Sequence, residues 1–142
     1  MIYTPKTKKA MKLCFKAHKR QVDKSGIPYV FHPIHLAEQM ETEETTIVAL
    51  LHDVVEDTRY KLKYLTKQGF SPAVIEAISL MTHDDDTPYM DYVRAIKENP
   101  IAKAVKLADL KHNSDITRLD RVDEKALERR KKYLEAISLL EN

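Results

Sequence analysis

Glycine is nearly absent from this sequence, because only Gly26 and Gly69 occur among 142 residues, whereas average usage is about 7%. A phosphate-binding loop of the G-x-x-x-x-G-K type needs two glycines close together, and so does the G-x-G-x-x-G turn of dinucleotide-binding proteins. The two glycines of this chain lie far apart. The composition therefore excludes both of these nucleotide sites.

Paired cysteines, long apolar runs and an excess of one charge are also missing. Cys14 is the only cysteine, which excludes an internal disulfide and a zinc site built on cysteine pairs. The longest apolar run, Ile47 to Leu51, is far too short to cross a membrane, and no apolar signal-peptide core follows the basic N-terminal segment. Lysine and arginine total 24 against 22 acidic residues, a balance that does not favour nucleic acid. We expect a cytoplasmic protein with neither a nucleic-acid nor a membrane partner.

Helical periodicity dominates the chain, which is 43% hydrophobic and 32% charged. Thr4 and Ser71 each precede a proline, a pattern typical of a helix N-cap followed by the first helical residue. The periodicity predicts helices at about 6–22, 32–40, 45–57, 61–68, 72–80, 89–98, 101–117 and 124–140. The length is close to the roughly 150 residues of one domain. We expect an all-α fold, a compact single-domain helical bundle over residues 1–142.

A histidine and an aspartate interrupt the most apolar segment of the chain, from Ile47 to Asp57. An ionised carboxylate in apolar surroundings needs a partner. Neighbouring side chains diverge by about 100° around a helix, so His52 and Asp53 can both reach one metal ion placed against it. Glu56 and Asp57 follow one turn later on the same faces. The alternative is a helix end with solvated acidic side chains.

Three other segments place polar side chains near predicted apolar surfaces. Asp109 lies at the edge of the apolar stripe of its helix with Asn113 one turn later, where a metal or a salt bridge would explain the carboxylate. His32 precedes a proline at a helix start, which can aim the imidazole inward or simply form a turn. A basic segment that can bind phosphates or form a solvated face contains Lys19, Arg20 and Lys24.

Together these segments supply two histidines and two aspartates from separate predicted helices. Mixed imidazole and carboxylate ligands suit divalent manganese, iron or zinc, and thiolate sites are absent. Only one such set of residues is visible. The sequence therefore predicts a site for a single divalent metal ion, with spare carboxylates beside it.

In these same segments the sequence resembles the HD-domain metal-dependent phosphohydrolases. More narrowly, it resembles a small stand-alone form of the hydrolase domain of the RelA/SpoT family, which removes pyrophosphate from the 3′ position of (p)ppGpp. The matching pieces are AHKRQVDKSGIPYVFHP, ALLHDVVEDT and VKLADLKHN, in the family's order between positions 17 and 113. The resemblance implies an HD-type helical fold and a phosphohydrolase whose substrate is a small nucleotide.

The resemblance also implies roles for individual residues. The metal ligands, with Mn²⁺ as the family's usual ion, would be His32, His52, Asp53 and Asp109. Glu56 and Asp57 match the catalytic pair that positions or activates the attacking water, and Asn113 matches a residue lining the nucleotide pocket. Looser matches to base- and phosphate-contacting residues are Lys19, Arg20 and Lys24. Apart from the resemblance, Lys106 is either a further candidate for neutralising phosphates or a solvated helix residue, and His112 is expected at the edge of the site.

Two departures from the family concern the substrate. Asp23 stands where the bifunctional enzymes tend to carry a basic residue, and the segment at 79–93 lacks their valine-threonine-lysine element. These departures leave open a phosphohydrolase for another small phosphate ester, and a non-catalytic module that binds nucleotide or metal. The basic run from Arg129 to Lys132 is compatible with a dimer face or with a solvated closing helix.

Overall fold

A computed structural model describes every residue from Met1 to Asn142 and contains helices but no strands. The α-helices are α1 (Pro5–His18), α2 (Phe31–Glu38), α3 (Glu43–Leu51), α4 (Val54–Asp57), α5 (Leu62–Lys67), α6 (Pro72–Met81), α7 (Tyr89–Lys97), α8 (Pro100–Asn113) and α9 (Glu124–Glu141). A 3₁₀ turn, Ile116–Arg118, follows α8. The expected all-α fold is confirmed.

Three of the helices begin with a capping side chain followed by proline. Thr4, Ser71 and Asn99 accept hydrogen bonds from backbone N–H groups of the first turns of α1, α6 and α8. These bonds satisfy donors that have no partner inside the helix. The proline that follows has a fixed φ suited to the first helical position. Local sequence therefore defines where these helices start.

The apolar faces of the helices meet in one core of 29 buried residues. Helix α3 lies at its centre, in contact with α1, α2, α6 and α8, and every residue from Ile47 to Leu51 is at most 2% exposed. A helix that is apolar on all sides is stable only when it is covered in this way. Helix α8 connects this group to α7 and α9. None of the helices combines the length and apolar character needed to cross a membrane.

The first helix ends earlier than the periodicity predicts, at His18 instead of residue 22. The chain then forms a tight hairpin in which the Asp23 N–H donates to the Ile27 carbonyl (2.8 Å) and the Tyr29 N–H to the Gln21 carbonyl (2.9 Å). Gly26 adopts a φ of +80° at the turn, a conformation that favours glycine. Backbone hydrogen bonds across this hairpin thus replace the last turn of the predicted helix.

The predicted helix 45–57 is divided in two, because α3 ends at Leu51 and α4 begins at Val54. The Nδ1 atom of His52 contacts the carbonyl oxygen of Ala49 at 2.7 Å. A continuing α-helix would pair that oxygen with the N–H of Asp53. The imidazole of His52 therefore occupies the carbonyl oxygen that a continuing helix would use as an acceptor. His52 and Asp53 lie in the break between α3 and α4.

Candidate metal centre

Two histidines and an aspartate from three elements meet beneath the surface. The ligand atoms of His32 on α2, His52 in the break and Asp109 on α8 all lie within 4.8 Å of one another. The Nε2 atom of His32 is 2.9 Å from Oδ1 of Asp109, and Nε2 of His52 is 3.6 Å from the same oxygen. All three residues are at most 5% exposed. This group could hold a divalent metal ion.

Asp53, the fourth predicted ligand, lies beside this group. Its Oδ2 atom is 3.1 Å from Nε2 of His52 and accepts a hydrogen bond from the hydroxyl group of Tyr29. Tyr29 itself was not singled out from the sequence. The packing of α2 and α8 against α3 therefore brings three of the four predicted ligands into one group, and Asp53 adjoins it through His52.

His52 is the residue that best tests whether a cation fits here. Its Nδ1 faces the Ala49 carbonyl, which keeps the proton of a neutral ring on Nδ1 and leaves a lone pair on Nε2. That buried Nε2 has no hydrogen-bond partner, yet it faces carboxylate oxygens of Asp53 and Asp109. Burial disfavours a charged ring, but these carboxylates prevail and raise the pKa of His52 well above its usual value. The donor set therefore fits a bound cation.

Two residues of α8 hold the carboxylate of Asp109. The Nζ atom of Lys106 donates to Oδ2 and Nδ2 of Asn113 donates to Oδ1, each at 3.0 Å. Burial opposes ionisation, but Lys106 and the contacts from the histidines hold the pKa of Asp109 well below its usual value. Asn113, predicted from the resemblance to contact the nucleotide, thus also orients a predicted ligand.

A pocket of about 330 Å³ opens beside the cluster, and we call it the large pocket only to distinguish it from a smaller neighbour. Its wall includes His32 of the cluster, Tyr29, and the apolar side chains of Ile116 and Leu119. The cationic residues of the wall are Lys24, Arg118 and Arg129. The wall also contains the carboxylates of Asp23 and Asp115. Apolar side chains beside cations can bind an aromatic base that carries phosphates.

A small pocket of about 150 Å³ lies on another side of the cluster. Asp109 and Glu56 form part of its wall, and its basic side chains are His83, Lys106 and Lys132. The large and small pockets share the lining residues Asn113 and Tyr133. The buried cluster therefore adjoins two pockets, each of which contains both lysine or arginine side chains and carboxylates.

The other residues implied by the resemblance take different positions. The side chains of Glu56 and Asp57 are exposed. Glu56 lines the small pocket, and partial burial, followed by the charges of Asp53 and Asp57, raises its pKa. Asp57 lines neither pocket, although burial and the charge of Asp53 raise its pKa as well. Lys24 lines the large pocket. Lys19 and Arg20 are exposed and line neither pocket.

Three cations of the pockets were not recognised as site residues in the sequence. Arg118 follows α8, while Arg129 and Lys132 belong to the basic run on α9. The Nζ atom of Lys132 lies 4.6 Å from the ring centre of Tyr89. A spacing of three places two side chains on one helix face, which was the available signal in the basic run. No local pattern indicates Arg118.

Asp23, the departure from the family pattern, is paired within the wall of the large pocket. Its Oδ1 accepts hydrogen bonds from the N–H groups of Ser25 and Ile27, at 2.8 and 3.0 Å. Its Oδ2 lies 3.7 Å from a guanidinium nitrogen of Arg118. The carboxylate thus stabilises the hairpin and faces a cation of the pocket.

The fold and site define a class of all-helical proteins with a buried imidazole and carboxylate cluster that could hold a divalent metal. No family model matches the chain. It is 38% identical over 114 residues to the guanosine-3′,5′-bis(diphosphate) 3′-pyrophosphohydrolase MESH1 of Mus musculus, an alignment that covers 70% of this chain and 63% of the relative. It is 35% identical over 112 residues to the bifunctional (p)ppGpp synthase/hydrolase SpoT of Escherichia coli, covering 68% and 16% of the two chains.

A third relative is the guanosine-3′,5′-bis(diphosphate) 3′-pyrophosphohydrolase of Borreliella burgdorferi, 34% identical over 122 residues, which represent 74% of this chain and 18% of the relative. The chain thus spans less than two thirds of the length of each of these relatives. A solved structure of a metazoan SpoT orthologue that hydrolyses ppGpp has the same fold, with a TM-score of 0.76 and 23% identity over 99% of this chain and 87% of that one. These relatives, which are named as (p)ppGpp hydrolases or synthases, are homologues of this chain, and this confirms the resemblance seen in its sequence.

Proposed function

We propose that this protein is a metal-dependent phosphohydrolase that removes pyrophosphate from the 3′ position of (p)ppGpp, with residues 1–142 acting as a single HD-type domain. The observation that carries the proposal is the buried His32, His52 and Asp109 cluster next to two pockets that contain lysine or arginine side chains. The relatives named as 3′-pyrophosphohydrolases support the choice of substrate. Mn²⁺ as the ion and the cytoplasm as the location belong to the same proposal.

The proposed metal ligands are Asp53 and the three residues of the buried cluster. A divalent ion bound there supplies a Lewis acid for a phosphoryl oxygen and a water molecule of lowered pKa. Hydrogen bonds hold the two carboxylate ligands in fixed orientations. Tyr29 donates to Asp53, and Lys106 and Asn113 donate to Asp109. Such outer contacts set the geometry and basicity of ligands.

Glu56 is the proposed general base. It lines the small pocket, in the same wall as Asp109, and its pKa is raised by burial and by the charges of Asp53 and Asp57. A raised pKa makes a carboxylate a better proton acceptor near neutral pH. In this arrangement Glu56 takes the proton of the attacking water, and Asp57 acts through its charge.

The two pockets suit a nucleoside that carries phosphates at two positions. In the large pocket, Lys24, Arg118 and Arg129 can neutralise the 5′ phosphates while apolar side chains contact the base. In the small pocket, Lys106 and Lys132 can neutralise the 3′ pyrophosphate. Asn113 and Tyr133, shared by both pockets, would lie beside the sugar.

The test is pyrophosphate release from ppGpp by the Mn²⁺-loaded protein, measured beside a panel of other nucleotides and phosphate esters. We expect water to cleave the bond between the 3′ oxygen and the pyrophosphate, giving GDP and pyrophosphate. Asp53→Ala should abolish turnover and weaken Mn²⁺ binding. Asp91→Ala is the matched control, because Asp91 pairs only with Arg94 on the exposed face of α7.

The other possible results lead to different conclusions. Hydrolysis of another ester with no ppGpp turnover would replace the substrate and keep the chemistry. Metal binding with no turnover across the panel would indicate a binding module. Full activity in the Asp53→Ala variant would contradict the proposed metal site itself.

A further inference from the structure

The imidazole rings of His112 and His32 meet edge to edge, and His32 belongs to the buried cluster. Their Nδ1 atoms are 2.7 Å apart, whereas the ring centres are 5.0 Å apart and the ring planes differ by 5°. Two rings whose nitrogens are this close and whose centres are this far apart lie nearly in one plane. The Nδ1 atoms are therefore aligned for an in-plane hydrogen bond.

We propose that His112 is a positioning residue of the metal site, which accepts a hydrogen bond from Nδ1–H of His32 and thereby directs the Nε2 lone pair of His32 at the metal. This inference concerns the same site as the proposed function and rests on its metal ligands.

Counting protons assigns the direction of this bond. Two neutral imidazoles that share an Nδ1 contact need one donor and one acceptor. If Nε2 of His32 binds a cation, the ring proton must be on Nδ1, so His112 has to accept. Without a cation, Nε2–H of His32 can donate to Asp109 at 2.9 Å, and His112 then donates in the opposite direction. His112 satisfies His32 in both states.

The protein holds His112 firmly enough for this role. His112 follows Asp109 by three residues on α8, so one rigid helix places a predicted ligand and the partner of another. The ring of His35 packs against it with centres 4.1 Å apart. The side chain of Arg118 donates to the carbonyl oxygen of His112 at 2.9 Å.

A second imidazole is not the usual partner for a histidine ligand. Such ligands generally donate to a carboxylate, a backbone carbonyl or water, and His52 follows this pattern by contacting Ala49. For His32, no other contact of Nδ1 is present. Removing the ring of His112 therefore leaves the buried Nδ1–H of His32 without a protein acceptor.

The test compares His112→Asn with His112→Phe. Asparagine can place Oδ1, an acceptor, at the position of Nδ1, whereas phenylalanine keeps a flat ring and removes the acceptor. The measurements are Mn²⁺ and Co²⁺ affinity by titration into metal-free protein, the visible absorption spectrum of bound Co²⁺, and thermal unfolding without metal. Asp91→Ala is the control, because Asp91 pairs only with Arg94 on the exposed face of α7.

We expect His112→Phe to bind both ions about 10- to 100-fold more weakly and to change the Co²⁺ spectrum. His112→Asn should recover most of the affinity, and Asp91→Ala should match the original protein. Unaltered affinity in His112→Phe, or equal weakening in both His112 variants, would overturn the proposal. If the original protein binds metal but does not cleave ppGpp, the proposed function fails while the role of His112 stands. If it binds neither ion, both fail.

Discussion

At the scale of single residues, hydrogen bonds from neighbouring groups determine which ligand atoms face the centre of the buried cluster. Tyr29 donates to one oxygen of Asp53, and Lys106 and Asn113 each donate to an oxygen of Asp109. The Ala49 carbonyl orients His52. A buried carboxylate left without such donors would favour the protonated form, which binds metals poorly. These neighbours keep the carboxylates ionised and aimed inward.

Tyr29→Phe should weaken Mn²⁺ binding about tenfold, at the lower end of the effect of losing an outer partner of a ligand. The substitution removes the hydroxyl group that donates to Asp53 and keeps the ring. Titration of Mn²⁺ into metal-free protein measures the change. Tyr60→Phe is the control, since the Tyr60 hydroxyl accepts a hydrogen bond from Arg59 at 3.3 Å and lines neither pocket. Equal Mn²⁺ affinity in Tyr29→Phe and the original protein would contradict this assignment.

Glu56 should give the reaction an acidic limb in its pH profile. Burial and the charges of Asp53 and Asp57 raise the pKa of Glu56, so this base becomes available only as pH rises through a value above the usual glutamate pKa of about 4.3. We expect kcat/KM for ppGpp to increase with pH across that value. Glu56→Gln should lose the limb and fall at least about 100-fold.

Asp57→Asn sharpens the same measurement. Removing one of the like charges that raise the pKa of Glu56 should shift the limb to lower pH while turnover persists. A profile identical to that of the original protein would show that Asp57 does not act on Glu56. Loss of turnover comparable to Glu56→Gln would instead make Asp57 a catalytic residue.

At the scale of elements, local sequence predicted the helix starts well and their interruptions poorly. The caps at Thr4 and Ser71 are visible as side chain and proline pairs. The break at His52 depends on the contact between its imidazole and the Ala49 carbonyl oxygen. The apolar periodicity of the sequence cannot predict this contact.

Pairings between distant segments were also invisible in the sequence. The hydroxyl group of Ser25 donates to the carbonyl oxygen of Arg118, 93 positions away, so the hairpin and the turn after α8 form one wall of the large pocket. The His-Asp, His-Pro and KLAD segments indicated the cluster because buried charge is unusual in any apolar segment. The cations of the pockets lie in partly exposed segments, where charge is ordinary.

Asn99→Ala should lower the free energy of unfolding by about 1 kcal/mol without changing metal affinity. Asn99 caps the start of α8, where its side chain accepts from the Ala102 N–H at 3.0 Å, whereas Lys106 to Asn113 contact the site from the other end. Urea denaturation measures the first effect and Mn²⁺ titration the second. Ser71→Ala, at the start of α6, should show a similar loss of stability. A weakening of Mn²⁺ binding by Asn99→Ala would mean that the helix transmits the loss of its cap to the ligands.

At the scale of the whole molecule, the core and the metal cluster are parts of one packed body. Cys14 is fully buried among the 29 core residues, and burial, followed by the charge of Asp53, raises the pKa of its thiol to about 12. Thiolates are the reactive form of cysteine. Cys14 should therefore react with an alkylating reagent only when the protein opens.

Metal binding should slow the alkylation of Cys14 by iodoacetamide. A ligand that binds only the folded state stabilises it by RT ln(1 + [L]/Kd), so free Mn²⁺ at about 100 times its Kd should reduce the open population about 100-fold. The rate of labelling, followed by mass spectrometry, should fall by the same factor when opening and closing are fast. Asp53→Ala is the control, because its labelling rate should not respond to Mn²⁺. Two results would contradict this prediction: rapid labelling of the folded protein, and a labelling rate in the original protein that does not depend on Mn²⁺. Either result would show that exposure of Cys14 is not coupled to metal binding.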